Sequence, residues 1–246
     1  MSKLNGKIAI VTGASRGIGA AIAARLAADG ATVIINYAGK AAEAEEQVRR
    51  IEAAGGHAIS AQADVADGVS IARMFDSAQA AYGGVDILVN NAGIMKLATL
   101  ADSDDALFDS QIAVNVKGTF NTLRQAAMRL RSGGTIVNLS SSVVGLKPET
   151  YGVYAATKAA VEAMTGILAK ELRGRSITVN AVAPGPTGTD LFLNGKAPEL
   201  VEHMAKMNPL ERLGTPEDIA AVVAFLAGPD GAWVNGQVLR ANGGMV

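Results

Sequence analysis

One stretch limits what this chain can become. Ile8-Ala9-Ile10-Val11 is a short apolar run without polar alternation; Thr12-Gly13-Ala14-Ser15-Arg16-Gly17-Ile18-Gly19 follows at once, and Ile18, Ile22 and Leu26 then recur at i, i+4 and i+8. The run fits a strand covered on both faces of a parallel sheet, and the recurrence fits a helix with one stripe turned back onto it. Gly30 supplies the stop. Between strand and helix, glycine permits positive φ, lets an anion approach the backbone with no Cβ in the way, and lets the helix pack close to the strand. The helix start offers free N–H groups and the positive end of its dipole, which suits a pyrophosphate. The spacing is GxxxGxG and not the commoner GxGxxG, so by itself the turn is weak evidence for a nucleotide site, since glycine-rich turns also serve as plain connectors.

The remaining chemistry must come from oxygen and amine groups. There is no cysteine, which removes disulfides, thiolate nucleophiles and iron–sulfur clusters, and two isolated histidines, His57 and His203, predict no metal site. A formal net charge of -1, with no Lys/Arg run longer than a pair, predicts neither a nucleic acid nor an anionic membrane as partner. Met1-Ser2-Lys3-Leu4-Asn5-Gly6-Lys7 has no apolar signal region and no run approaches membrane-spanning length, so a cytoplasmic protein is expected. With 246 residues, 49% of them hydrophobic, the chain is expected to form one domain over 1–246.

Further along, strands and helices alternate. Thr32–Ile35 reads as a second buried strand, Ala41–Ala54 as a surface helix with Ala44, Val48 and Ile51 inward, and Glu45–Arg49 and Glu46–Arg50 as supporting pairs. An acid at the end of the second strand would hydrogen-bond the ribose of NAD and repel a 2′-phosphate. Here Asn36-Tyr37-Ala38 stands there, no acid occurs between Asp29 and Glu43, and Arg16 and Lys40 are near, which favours NADP (NADPH) over NAD. Ala58–Ala61 is a third strand ending in Asp64-Val65, where Asp64 reads as a turn or cap residue or as an adenine contact. A helix near Ser70–Ala80 leads to the strand Ile87-Leu88-Val89, which opens onto Asn90-Asn91-Ala92-Gly93. A long helix is expected from Asp102 or Ser103 towards Leu130, with Asn115 in its middle, either exposed or marking a deliberate break. Ile136 and Val137 mark a strand ending in Ser140-Ser141-Ser142, a helix carries Tyr154 and Lys158, and Ile177–Ala183 is a sixth strand before Pro184-Gly185. An irregular stretch at about 186–213, apolar at Leu191, Phe192, Leu193, Leu200, Val201, Met204 and Met207, reads as a substrate lid. A helix over Pro216–Leu226, capped by Thr215, and a seventh strand drawn from Trp233, Gly236, Gln237, Val238 and Leu239 close the chain. The alternation predicts an α/β, doubly wound, parallel seven-stranded sheet of Rossmann type, with its ligand crevice at the carboxyl ends of the strands.

Tyr154 and Lys158 are four residues apart and share one helix face. A phenol titrates near pH 10 in isolation, and a cation one turn away is expected to lower that value, giving an acid/base able to protonate a carbonyl oxygen as hydride arrives. A serine hydroxyl at a strand's carboxyl end could hold the same oxygen.

With TGASRGIG (12–19), NNAG (90–93), Asn115 in VNVKG, Ser141 thirteen positions before Tyr154, Tyr-Ala-Ala-Thr-Lys, Pro184-Gly185 followed by Thr189, and NGQVLRANGG, the chain resembles the short-chain dehydrogenase/reductase family over essentially its whole length. The resemblance implies that Tyr154 is the general acid/base, that Ser141 orients the carbonyl, that Lys158 binds the nicotinamide ribose while acidifying Tyr154, and that Asn115 holds a water in a proton relay. It implies a cofactor site drawn from Gly13, Ser15, Arg16, Gly17, Ile18, Gly19, Asn36, Tyr37, Asp64, Val65, Asn91, Ala92, Gly93, Tyr154, Lys158, Pro184, Gly185 and Thr189, with Asn91 approaching the adenosine ribose and Asp64 and Val65 flanking adenine. It also implies a homotetramer through the long helices. Two departures stand out: Ser142 directly precedes Val-Val-Gly as the catalytic serine does in many relatives, though it lies twelve before Tyr154, and Gly39 stands where NADP-dependent relatives often carry arginine.

The reading that follows is an oxidoreductase moving hydride between NADP(H) and a ketone or secondary alcohol. Within it, 3-oxoacyl-acyl-carrier-protein reductase would need a basic docking surface, for which Arg129, Arg131, Arg173 and Arg175 are the candidates, unless they merely complement helix dipoles. Outside it stands a non-catalytic NADP-sensing module, disfavoured because a sensor has no need of Ser141, Tyr154 and Lys158 together. Enoyl reduction is disfavoured because relatives with that activity space tyrosine and lysine more widely.

Overall fold

The computed structural model describes residues 3–246; Met1 and Ser2, part of the N-terminal segment read above, lie outside them. Seven strands, β1 (Ile8–Val11), β2 (Thr32–Tyr37), β3 (His57–Gln62), β4 (Val85–Asn90), β5 (Leu130–Leu139), β6 (Thr178–Pro184) and β7 (Val238–Ala241), pair in parallel in the order β3-β2-β1-β4-β5-β6-β7. The chain winds outward from β1 to β3, returns to β4 on the other side of β1, and so leaves a switch point between β1 and β4 where the following loops part. This is the doubly wound architecture expected from the alternation of elements.

Both faces of the sheet are covered, and successive strand residues serve opposite faces. Val11, Val33, Val89, Val137 and Val182 pack with Ile22 and Leu26 of α1 (Gly17–Ala28) and with Ile219 and Val223 of a late helix, Pro216–Ala227. Ile10, Ile34, Leu88, Ile136 and Val179 face the other way, onto Ile71, Phe75, Leu123 and Leu168. Phe75 is 1% exposed, so its truncation to alanine would cost ~3–5 kcal/mol.

The connecting helices are α2 (Ala41–Ala53), α3 (Gly68–Tyr82), α4 (Asp105–Gln111), α5 (Thr119–Arg129), α6 (Val143–Leu146), α7 (Gly152–Glu171), α8 (Asp190–Leu193), α9 (Pro198–Lys206) and α10 (Pro216–Ala227). The long helix expected towards Leu130 starts at Asp104, whose carboxylate accepts from Leu107 N at 2.7 Å, but it is α4 and α5 joined by a π-helical stretch, Ile112–Gly118. Asn115 lies inside that stretch and is 1% exposed, so the break and not the exposed surface is what its position marks.

Three expectations change. The stretch 186–213 is not irregular throughout, since it holds α8 and α9. Its neck is closed by a bridge between Thr187 and Gly214, with Gly188 N donating to Gly214 O and Gly214 N to Pro186 O, both at 2.9 Å. The seventh strand excludes Trp233, Gly236 and Gln237, and Trp233 is 99% exposed, because a turn returns the chain to the sheet only at Val238. On α2, Glu46 pairs with both Arg49 and Arg50, and Gln47 joins Ala44 and Ile51 among the buried residues.

Candidate active site

The carboxyl ends of β1, β4, β5 and β6 converge on one crevice, and the turn after β1 is its floor. Gly13 and Gly17 adopt φ of 60° and 57°. A Cβ on Gly19 would stand 2.4 Å from Asn91 Nδ2 and 2.5 Å from Gly13 O, so no other residue fits without moving backbone. Arg16 caps α1 without a side-chain hydrogen bond, which leaves the first N–H groups of that helix for an anion. Such a cradle, closed to a Cβ and open to a negative charge, fits a dinucleotide pyrophosphate. Thr189 faces it from across the crevice, its Cγ2 lying 3.6 Å from the Cβ position of Gly17.

Much of the expected cofactor set proves to brace this cradle. Asn36 is 1% exposed; its Oδ1 accepts from Gly13 N at 3.4 Å and its Nδ2 donates to Ala61 O and Ala63 O, so its amide nitrogen has nothing left for a ribose. Asn91 Nδ2 donates to Thr12 O at 2.9 Å and Gly13 O at 3.0 Å, leaving only its oxygen for the adenosine ribose it is expected to approach. Asp64 accepts from Ala66 N at 2.9 Å as a turn residue, and the cap of α3 is Asp67. Val65 is buried beside it, and its carbonyl accepts from Asn121 Nδ2 at 2.8 Å. Gly185, after Pro184, takes its place against Asn242, where a Cβ would come within 2.8 Å.

At the other end of the crevice stand the serine run and α7. Ser141 Oγ accepts from Val143 N at 3.4 Å and lies beside the Tyr154 phenol, where its hydroxyl acts to lower the phenol's pKa. Ser142 turns inward, 2% exposed, donating to Ala183 O at 3.2 Å and accepting from Asn242 Nδ2 at 3.0 Å. Lys158 is 6% exposed and its Nζ donates to Leu139 O at 2.8 Å. A Cβ on Gly93 would meet Asn115 Oδ1 at 3.3 Å and Lys158 Nζ at 3.6 Å, which brings the NNAG turn, the π-helical stretch and α7 to one point.

The electrostatics depart from expectation at Tyr154. Burial pushes its phenol up to about 12, the Ser141 hydroxyl works in the lowering direction, and burial pushes Lys158 down to about 8. Desolvation dominates at Tyr154, with the charge of Tyr151 adding to it, and the expected acidification by Lys158 is not among the causes that act on the phenol. The phenol keeps its proton at neutral pH, the state a proton donor needs.

Asn115 is likewise tied into the protein. Its Oδ1 accepts from Ile94 N at 2.8 Å, and its Nδ2 donates to Ile94 O at 2.9 Å and Thr157 Oγ1 at 3.1 Å. Its main-chain carbonyl already accepts from Thr119 Oγ1 at 2.8 Å, so a water on Asn115 would have to use a lone pair these bonds leave.

Sequence reasoning missed the residues that hold the site together. Thr12 Oγ1 receives both Asn91 N and Ala92 N at 3.0 Å, and Asn90, Asn138, Thr122 and Thr165 form a buried chain of hydrogen bonds joining β4, β5, α5 and α7. Thr12 opens the quoted TGASRGIG, Asn90 opens the quoted NNAG and Asn242 lies in the quoted NGQVLRANGG, so a signal exists for those three. Nothing in spacing distinguished the others.

Three of the four candidate docking arginines have partners within the chain. Arg129 pairs with Asp76 at 2.5 Å, Arg131 with Asp86 at 2.9 Å and Tyr82 O at 2.7 Å, and Arg175 donates to Ala127 O and Leu130 O. Arg131 moreover sits at the amino end of β5, opposite the crevice. Among the described residues, no helix is long and apolar enough to cross a membrane and no group of three or more His, Cys, Asp or Glu could hold a metal ion.

A family model described as enoyl-(acyl carrier protein) reductase matches residues 13–246. A short-chain type dehydrogenase/reductase of Picea abies is 50% identical over 99% of this chain and 93% of its own length. The chain belongs to the short-chain dehydrogenase/reductase family. An Arabidopsis thaliana relative named NADPH-dependent aldehyde reductase-like protein, chloroplastic, is 48% identical over 99% of this chain and 95% of its own. A short chain dehydrogenase of Burkholderia cenocepacia, solved in complex with NADP, superposes with a TM-score of 0.93 at 43% identity, covering 99% of each chain. Like these dehydrogenase/reductases, the chain is an oxidoreductase.

Proposed function

We propose that this chain is an NADP(H)-dependent reductase of aldehydes or ketones, reversible on the corresponding alcohols, with Tyr154 as its general acid/base. The observation that carries the reading is the meeting of Ser141, a protonated Tyr154 and a buried Lys158 in the crevice that the glycine turn floors.

The residues fit the cofactor. The first N–H groups of α1 and the turn at Gly13, Gly17 and Gly19 would hold the pyrophosphate, Lys158 and Gly93 the nicotinamide end, and Thr189 the far wall. NADPH supplies the hydride that reduces the carbonyl carbon. Tyr154 Oη donates its proton to the carbonyl oxygen as negative charge gathers there, since a phenol is a stronger acid than the alcohol formed. Ser141 Oγ donates a second hydrogen bond to that oxygen and fixes its direction. The Lys158 ammonium, held by Leu139 O, stabilises the phenolate left behind, and in the reverse direction it eases removal of the phenolic proton. Asn115 braces Ile94 and Thr157 around this group, and a water on its remaining acceptor sites would complete the relay.

The exposed Leu191, Leu200, Met207 and Leu210 between Thr187 and Gly214 make this stretch the substrate lid and favour a partly apolar substrate. The relatives named aldehyde reductases support a free carbonyl compound. A carrier-bound 3-oxoacyl substrate is supported less, because three of its four candidate docking arginines are spent inside the protein. The four-residue spacing of Tyr154 and Lys158 likewise supports carbonyl over enoyl reduction.

Phe120 and Met128 on α5 and Ile167 on α7 are apolar and exposed, which supports a homotetramer through the long helices; light scattering that gives a monomer would remove it. A cytoplasmic setting remains our reading, with imaging of the tagged chain as its check.

A screen of aldehydes, ketones, sugars and acyl thioesters with NADPH and NADH tests the main proposal. Turnover of a free carbonyl with NADPH is the expected result. NADPH binding without turnover of any carbonyl would convert the protein into a sensing module.

A further inference from the structure

Three charged side chains meet in the ground beyond the end of β2, and one of them has the wrong sign for an NADP site. Arg16 and Lys40 are the N-cap residues of α1 and α2, both exposed and neither making a side-chain cap hydrogen bond to its helix. Glu43 lies in the first turn of α2, where the helix dipole favours it. Gln47, one turn further along the same stripe, donates to Ala20 O at 3.1 Å, and Ile51, another turn on, is buried. The stripe that carries Glu43 is therefore the one that faces α1, and Glu43 prolongs it towards the turn of Arg16. Lys40 Nζ donates to Glu43 Oε1 at 2.7 Å, while Oε2 is shielded from water and has no hydrogen-bond partner among the described residues. The Lys40 hydrogen bond holds the Glu43 carboxyl below its ordinary range against the effect of burial, and the charge of Arg16 adds to the lowering. At Gly39, between Tyr37 and Lys40, a Cβ would meet nothing within 4 Å, so no neighbour stands in the space there.

We propose that Glu43 is a built-in competitor for the 2′-phosphate of NADP(H): it engages Lys40, one of the two cations with Arg16 that this phosphate would use, and so sets how strongly the chain prefers NADP(H) over NAD(H). The inference rests on the NADP(H) reading above and adds a residue that reading does not contain. A 2′-phosphate brings about −1.5 to −2 charges at neutral pH, which Glu43 repels and the two cations attract. The ribose hydroxyl of NAD(H) brings none and is a partner a carboxylate accepts. An exposed ion pair such as Lys40–Glu43 is weak and screened by salt, so the phosphate can displace Glu43, and the consequence is a reduced margin of preference.

Fluorescence titration of the full chain with NADPH and with NADH tests this. Glu43→Gln is expected to tighten NADPH about fivefold at low salt, with NADH nearly unchanged and the gain shrinking as salt is raised. Adenosine 2′-monophosphate should gain in parallel, and adenosine 5′-monophosphate should not. In a Lys40→Met background the gain from Glu43→Gln should fall, because the cation being released is gone. An unshifted NADPH/NADH ratio in Glu43→Gln, or weaker NADPH binding, would overturn the role of Glu43 and leave the cofactor reading intact. A wild-type chain that binds neither dinucleotide would overturn both.

Discussion

Lys158 Nζ stands 5.7 Å from the centroid of the Tyr154 ring and donates to the main-chain carbonyl of Leu139 at 2.8 Å. The ammonium is thus anchored to the end of β5, and the tyrosine comes to it by sharing a face of α7. The sheet, through Leu139, fixes where the positive charge lies.

That anchoring has a measurable cost. Burial depresses Lys158 from 10.5 to about 8, so between those values the unfolded chain binds a proton that the native chain has released, and native stability rises with pH across the window. Below about pH 8 both states are protonated and the penalty is complete. Replacing Lys158 by Met removes this dependence and leaves a pH-independent loss from the unpaired Leu139 carbonyl. Denaturant unfolding from pH 7 to 10 should show wild type gaining on Lys158→Met as pH rises, by an amount on the order of a few kcal/mol. A constant difference would mean the lysine is not desolvated.

Tyr154→Phe keeps the ring and removes the proton. Turnover should fall by about 10²–10⁴-fold, the usual weight of a general acid, while NADPH titrates with nearly unchanged affinity. Undiminished kcat would remove Tyr154 from the chemistry.

Ser141 and Ser142 should separate cleanly. Ser141 meets the Tyr154 phenol, whereas Ser142 ties Ala183 to Asn242 from a buried position. Ser141→Ala should lower kcat and leave the melting temperature in place. Ser142→Ala should lower stability by ~1 kcal/mol or more through its lost hydrogen bonds, with the smaller effect on kcat. The reverse pattern would exchange their roles.

Asp218 completes a capping box with Thr215 and pairs with Arg212 at 2.6 Å. The hydrogen bond from Arg212, with those from Thr215, holds its carboxyl at about 2, below the usual 3.8. A depressed carboxyl stabilises the fold above its unfolded value and ceases to do so as pH falls through the folded one. Asp218→Asn should therefore melt below wild type at pH 5–7, with the gap closing as the solution is acidified towards about pH 2. A gap that persists in strong acid would place its origin outside this carboxylate.

The fold is legible because β1 is buried at every residue and reads as an unbroken apolar run, as does Ile87-Leu88-Val89 within the fully buried β4, and because Ile22 and Leu26 repeat at helical spacing. Element ends were less so: β2 continues through Asn36 and Tyr37, since a polar residue can be buried in a strand when neighbouring backbone satisfies it, as Ala61 and Ala63 do for Asn36. Asn115 was legible as an anomaly, but which partners its amide meets depends on Ile94 and Thr157, far away in sequence. The raised pKa of Tyr154 is not legible in the sequence, because spacing on a helix reports the neighbouring cation and is silent on how much water the surrounding loops exclude.

The bridge between Thr187 and Gly214 brings both ends of the excursion to one spot beside the sheet. What lies between them can lengthen, shorten or change composition while the strands register nothing of it. Under the lid role proposed above, transplanting 190–213 from a relative, with Thr189 kept against the glycine turn, should exchange the molecules admitted and carry over the same reaction.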